Sequence, residues 1–151
     1  MQGFEPRGSV AGDLTACLTY MKVGNTTVIT AGNAVYMNAG FLENKTSTSL
    51  LIGVAAETVT GNTTSTECGV YCDPNILYYN DADGDLATIE QGLLFKTAFT
   101  AGKMKIDQST AAANPGALRS TYGFVLIKRN PDGDADISKG LFKIHTAALQ
   151  F

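Results

Sequence analysis

Apolar residues in this chain come in short runs, rich in β-branched and aromatic side chains, and nearly every run is closed by Gly, Asn or Asp. A helix that packs on a core needs apolar residues recurring three and four positions apart, and no stretch here keeps that spacing beyond two turns. Strands joined by tight turns are the remaining solution. Residues 14–23 are the first predicted strand. Residues 26–30 and 34–37 flank Ala31-Gly32-Asn33, where Gly and Asn tolerate the positive φ of a tight reversal. Residues 50–56 are almost continuously apolar and are expected to be buried on both faces.

Further along, residues 67–72 and 76–79 bracket Asp73-Pro74-Asn75, where proline ends one run and Asx chemistry starts the next. Strands are then predicted over 86–89, 93–99 and 103–106, with 111–116 as a loop. Two closing strands, 122–129 and 141–151, surround the turn Asn130-Pro131-Asp132-Gly133. About ten short strands at regular spacing define an all-β fold, a compact β-barrel or a jelly-roll-like sandwich. With 151 residues the chain is long enough for one domain that buries roughly 70% of its unfolded surface without a disulfide or metal staple. The domain is expected over residues 14–151.

Charge narrows the partners. The net charge of −3 leaves no dense Lys/Arg surface for phosphate, so nucleic acid is not expected as a ligand. Cys17, Cys68 and Cys72 are odd in number and do not match C-x-x-C spacing, and are expected to be free thiols in a reducing compartment. The opening Met1-Gln2-Gly3-Phe4-Glu5-Pro6-Arg7-Gly8 places an acid and a proline where a secretory signal needs an apolar run. No stretch approaches the ~20 apolar residues of a helical membrane span. Synthesis and folding in a cytoplasm are therefore expected, and the Asn-x-Thr triplets at Asn25, Asn44 and Asn62 are read as chance products of a Thr-rich chain.

No catalytic constellation stands out. His145 is the single histidine, so it cannot build a two-His metal site, and a structural or surface role is expected of it. Nucleophile-elbow, phosphate-loop and dinucleotide motifs are missing, and the chain is read as a non-enzyme without a cofactor. Two clusters of alternate aspartates, Asp81, Asp83, Asp85 and Asp132, Asp134, Asp136, have the chemistry to converge on calcium. Their sixth positions are Leu86 and Ile137 rather than the Gly of an EF-hand loop, so solvated turns are the preferred reading. Tyr71, Tyr78 and Tyr79 could stack on a sugar, but without interleaved basic residues strand packing is the expected use.

Residues 1–13 hold Gly3, Pro6, Gly8 and Gly12 with few sizeable apolar side chains, and are read as an extended arm outside the core. Phe4, Pro6, Arg7 and Val10 are its candidate docking residues, because Phe and Arg suit anchor roles and an extended backbone can pair with a sheet edge.

Several segments resemble small capsid decoration (cement) proteins of tailed bacteriophages. They are Gly3-Phe4-Glu5-Pro6-Arg7-Gly8, Thr30-Ala31-Gly32-Asn33-Ala34-Val35, Ile52-Gly53-Val54-Ala55, Asp73-Pro74-Asn75-Ile76 and the closing strand that ends in Phe151. The resemblance implies a compact β-barrel or jelly-roll-like domain assembled as a homotrimer or dimer on the outside of the expanded head. It further implies a virion structural role, clamping neighbouring major capsid subunits, and it carries no catalytic residues. A head fibre base, a tail adaptor and a carbohydrate-binding β-module are the alternatives.

Overall fold

A computed structural model of the chain describes residues 3–9, 18–46, 49–62, 66–100, 102–113, 121–133 and 135–145. Its strands are β1 (Glu5–Ser9), β2 (Leu18–Lys22), β3 (Val28–Ile29), β4 (Ala34–Asn38), β5 (Phe41–Asn44), β6 (Gly53–Ala55) and β7 (Val59–Thr60). They continue with β8 (Glu67–Tyr71), β9 (Ile76–Asp81), β10 (Leu94–Thr100), β11 (Lys103–Ala112), β12 (Phe124–Arg129) and β13 (Lys139–Ile144). One antiparallel sheet runs β1-β9-β13-β12-β10-β11, a second β2-β8-β6-β4-β5, and β3 pairs with β7 alone.

The two large sheets pack face to face as a sandwich. Their inner faces supply one core, in which Ala34, Leu51 and Val54 of the five-stranded side meet Tyr78, Phe95, Phe124 and Phe142 of the six-stranded side. A second core lies on the opposite face of the five-stranded sheet, built from Val35, Leu42, Ile52, Ala55 and Val70 together with Ile29 of the small ribbon. Alternation along a strand sends neighbours to opposite faces, so Val54 enters one core and Ala55 the other. The apolar run over 50–56 is thus explained as expected: it is sandwiched between two hydrophobic layers.

The six-stranded sheet curls without closing into a barrel. Ala82 and Ile106 form a single parallel bridge, and the Asn80 side-chain amide donates to the Met104 carbonyl at 3.2 Å, drawing β11 back towards β9. One bridge is not a ladder, and the sandwich alternative is the one the chain adopts.

The reversals follow the turn chemistry. Gly32 takes φ 86° between β3 and β4. In the Asp73 turn the Asn75 N–H donates to Asp73 Oδ1 at 2.8 Å. Two strands, β5 and β7, are additions to the predicted set. The β4–β5 hairpin turns through Ala39 and Gly40 at φ 49° and 87°, a two-residue reversal that sequences normally announce with Asn-Gly or Asp-Gly.

Residues 86–89 are a correction. The run does not form a strand; it leads into a 3-10 turn over Thr88–Glu90, and Ile89 is 87% exposed. The buried Glu90 carboxylate bends the chain back by accepting the Ala87 N–H at 2.7 Å, a local alternative that outcompetes sheet pairing. Strand β11 also runs further than predicted, taking in Ala111 and Ala112 from the expected loop, because Ala112 pairs with Leu94 past an irregularity in the β10–β11 register.

The N-terminal arm is the larger correction. Residues 5–9 are a strand of the six-stranded sheet, antiparallel to β9 with Glu5 opposite Tyr79 and Ser9 opposite Ile76. Phe4 is 1% exposed and belongs to the main core. The entry is fixed by Gly3, whose φ of 126° suits glycine and where a Cβ would lie 2.6 Å from the Gly32 carbonyl oxygen; the Phe4 N–H donates to that same oxygen at 2.8 Å. Burying the ring contributes about 1.5–3 kcal/mol. Residues 10–13 lie outside the described residues.

Candidate functional site

With Phe4 withdrawn into the core, the outward surface of β1 is what the N-terminal segment offers to a partner. Pro6 lacks an N–H and is tolerated here because β1 is an edge strand. The register shifts between Pro6 and Gly8, so Arg7 is the extra residue of a bulge. That shift turns its side chain outward, where the guanidinium lies 4.3 Å from the centre of the Tyr79 ring and 3.9 Å from Glu5 Oε2. Arg7 and Glu5 side chains are both about half exposed, so this pair stays wet and holds little energy.

Beside this edge lies an apolar hollow of about 160 Å³, walled by Phe4, Pro6, Ala31, Gly32, Ala55, Ala56 and Tyr71, with Glu5 at its margin. It exists because two neighbouring chain reversals present only Gly and Ala where larger side chains would fill the space. Strand edge, aromatic-backed arginine and hollow form one continuous surface assembled from residues distant in sequence. Among the docking residues read from the sequence, Pro6 and Arg7 lie on it, Phe4 forms its floor from inside, and Val10 is outside the described residues.

The remaining candidates distribute elsewhere. Tyr78 is fully buried and Tyr79 nearly so, which leaves them no face for a sugar, in keeping with the packing role expected of them. Tyr71 is partly exposed in the hollow. The two acidic loops do meet: the Ala82 N–H donates to the Ser138 carbonyl at 2.8 Å and the Leu86 N–H to the Ile137 carbonyl at 3.1 Å. Their carboxylates serve protein hydrogen bonds, Asp83 Oδ1 accepting the Gln108 N–H of β11 at 2.8 Å and Asp136 Oδ1 closing a local turn with the Ser138 hydroxyl at 2.6 Å. The Ser138 hydrogen bonds hold the Asp136 carboxyl below its ordinary range. Asp134 lies outside the described residues, and among those described no three His, Cys, Asp or Glu side chains converge as a metal site would require.

His145 follows β13, half-buried, and its N–H donates to the Gly123 carbonyl at 3.0 Å. Cys68 and Cys72 are free thiols, while Cys17 lies outside the described residues. Burial pushes the Cys68 thiol up to about 11, chiefly by desolvation, with the Glu57 charge adding to it. No helix among the described residues is long and apolar enough to cross a membrane.

Sequence reading passed over Lys45 and Glu90. Both are buried charged residues, and the only signal either carries is a polar residue beside a strand or turn, which is indistinguishable from a solvated one until the tertiary fold covers it. No protein-family model matches the chain, and no curated protein matches it.

Proposed function

We propose that this protein is a virion structural component that binds the outer surface of a tailed-phage head and stabilises contacts between major capsid subunits, acting as a homotrimer or dimer and without enzymatic chemistry. The observation that carries this reading beyond the sequence resemblance is the surface of β1. An edge strand, a half-exposed arginine seated on an aromatic ring and an adjoining apolar hollow are the parts from which strand-addition interfaces are made. Pro6 and Arg7 are the docking residues in this reading; Phe4 acts indirectly by holding the edge in place.

Multivalency makes weak single contacts sufficient. Joining three such surfaces in one oligomer raises avidity by about 10²–10⁴ over one contact when all three engage together. The acidic net charge of −3 suits a particle exterior that must not adhere to nucleic acid.

The test pairs light scattering on the purified protein with cosedimentation on empty expanded heads, using the wild type and Arg7→Glu. A defined trimer or dimer that pellets with heads, and an Arg7→Glu protein of the same mass that pellets poorly, is the expected result. A monomer that ignores heads overturns the proposal.

A further inference from the structure

Lys45 follows β5 directly, and its backbone N–H continues the ladder by donating to the Ala34 carbonyl at 2.8 Å. Its side chain crosses to the other sheet. The amine donates to the Thr121 carbonyl at 3.2 Å, on the segment that enters β12, and to the carbonyl of Thr46 at 2.9 Å. The stem packs on Gly123, where an added Cβ would sit 3.4 Å from Lys45 Cε, and the whole residue is only 4% exposed. A buried ammonium ordinarily sits against a carboxylate. Among the described residues its acceptors here are two neutral carbonyls.

The groups around it sharpen the point. From β10, Lys96 faces the same junction with its amine 5.1 Å from the centre of the Tyr122 ring, and its charge repels a second cation. Tyr122 belongs to the 121–123 segment itself. Glu43, two residues before Lys45, is engaged by the Tyr36 hydroxyl at 3.0 Å and the Asn38 amide at 3.3 Å. His145, past the end of β13, is tied to Gly123 through its backbone.

A neutral amine has two N–H groups, which match the two carbonyls; an ammonium brings a third N–H and a full charge for which the described residues offer no further acceptor. We infer that Lys45 is a proton-sensitive latch between the two large sheets, closed when its amine is neutral and weakened when the amine takes up a proton.

Desolvation, with Lys96 second, lowers the amine in the folded state from the usual 10.5 to about 8. Since the unfolded chain holds this proton more tightly than the folded one, folding is favoured as pH rises through that interval. The ratio of the folding equilibrium constants of the wild type and Lys45→Met should therefore rise about twentyfold between roughly pH 7.5 and 9.5. Using the ratio cancels the Cys68 and Cys72 thiols and every other group that titrates alike in both proteins.

Denaturant unfolding at both pH values gives the ratio, and the Lys45 ¹³Cε resonance of the wild type gives its titration midpoint directly. A twentyfold change with a midpoint near 8 is expected. A ratio that does not move with pH, or a midpoint above 10, overturns the latch; should Lys45→Met fail to fold, the wild-type midpoint alone decides.

Discussion

The Phe4 ring lies flat on that of Phe124, with centroids 3.9 Å apart and planes 13° from parallel, while Tyr78 meets both rings edge-on at 6.1 and 6.3 Å. Three elements meet in this cluster: the start of β1, the middle of β9 and the start of β12. The N-terminal segment is therefore held by its first aromatic side chain, and β1 is anchored as part of the sheet.

Truncating that ring removes both its buried area and its aromatic contacts. Phe4→Ala should cost about 3–5 kcal/mol of stability, read as a lower midpoint in urea unfolding. Deleting residues 1–9 should cost more, since it strips β9 of a sheet partner as well. A deletion protein as stable as the full chain would show that the cluster is dispensable.

Glu90 closes a turn and ties it to β11. Its two carboxylate oxygens accept the Ala87 N–H and the Gln108 side-chain amide, each at 2.7 Å. Glu90→Ala leaves two donors without their charged acceptor and should destabilise by about 2–3 kcal/mol, with Glu90→Gln recovering part of the loss. Equal stability of all three proteins by thermal unfolding would mean that water replaces the carboxylate.

Two glycines make a matched pair. A Cβ on Gly61 would run into the Gly24 carbonyl, a backbone contact with no side chain to swing away, whereas one on Gly8 meets nothing within 4 Å. Gly61→Ala should lose about 1–3 kcal/mol and Gly8→Ala less than about 1 kcal/mol, measured by chemical denaturation.

The buried Cys68 thiol, raised to about 11, should stay unreactive towards an aromatic disulfide reagent at pH 8 until the protein unfolds. Mass spectrometry after brief labelling of the native protein distinguishes it from Cys72, which is only partly buried. Labelling of Cys68 at the rate of a free peptide would mean that β8 opens readily.

How far the sequence spoke depended on the range of the interaction involved. Side-chain alternation, β-branched runs and Gly/Asn/Asp punctuation are local, and they were enough to read an all-β fold, the turn at Gly32, the Asx turn at Asp73 and the double burial of residues 50–56, whereas the antiparallel pairing of the strands came only with the tertiary structure. Turns without their usual residues were not legible, as Ala39-Gly40 shows, and neither was the diversion of residues 86–89 into a turn closed by Glu90.

By itself the sequence determined the fold class, because periodicity two and short runs leave the backbone few other ways to satisfy its hydrogen bonds. Only the tertiary structure decided that Phe4 is core, that Arg7 rather than Phe4 faces outward, and that Lys45 is sealed between the sheets. Each of those outcomes rests on partners far away in sequence, Tyr78 and Phe124 for Phe4, Tyr79 for Arg7, and Thr121 and Gly123 for Lys45. Burial belongs to the packed sheets, and no window of the chain carries it.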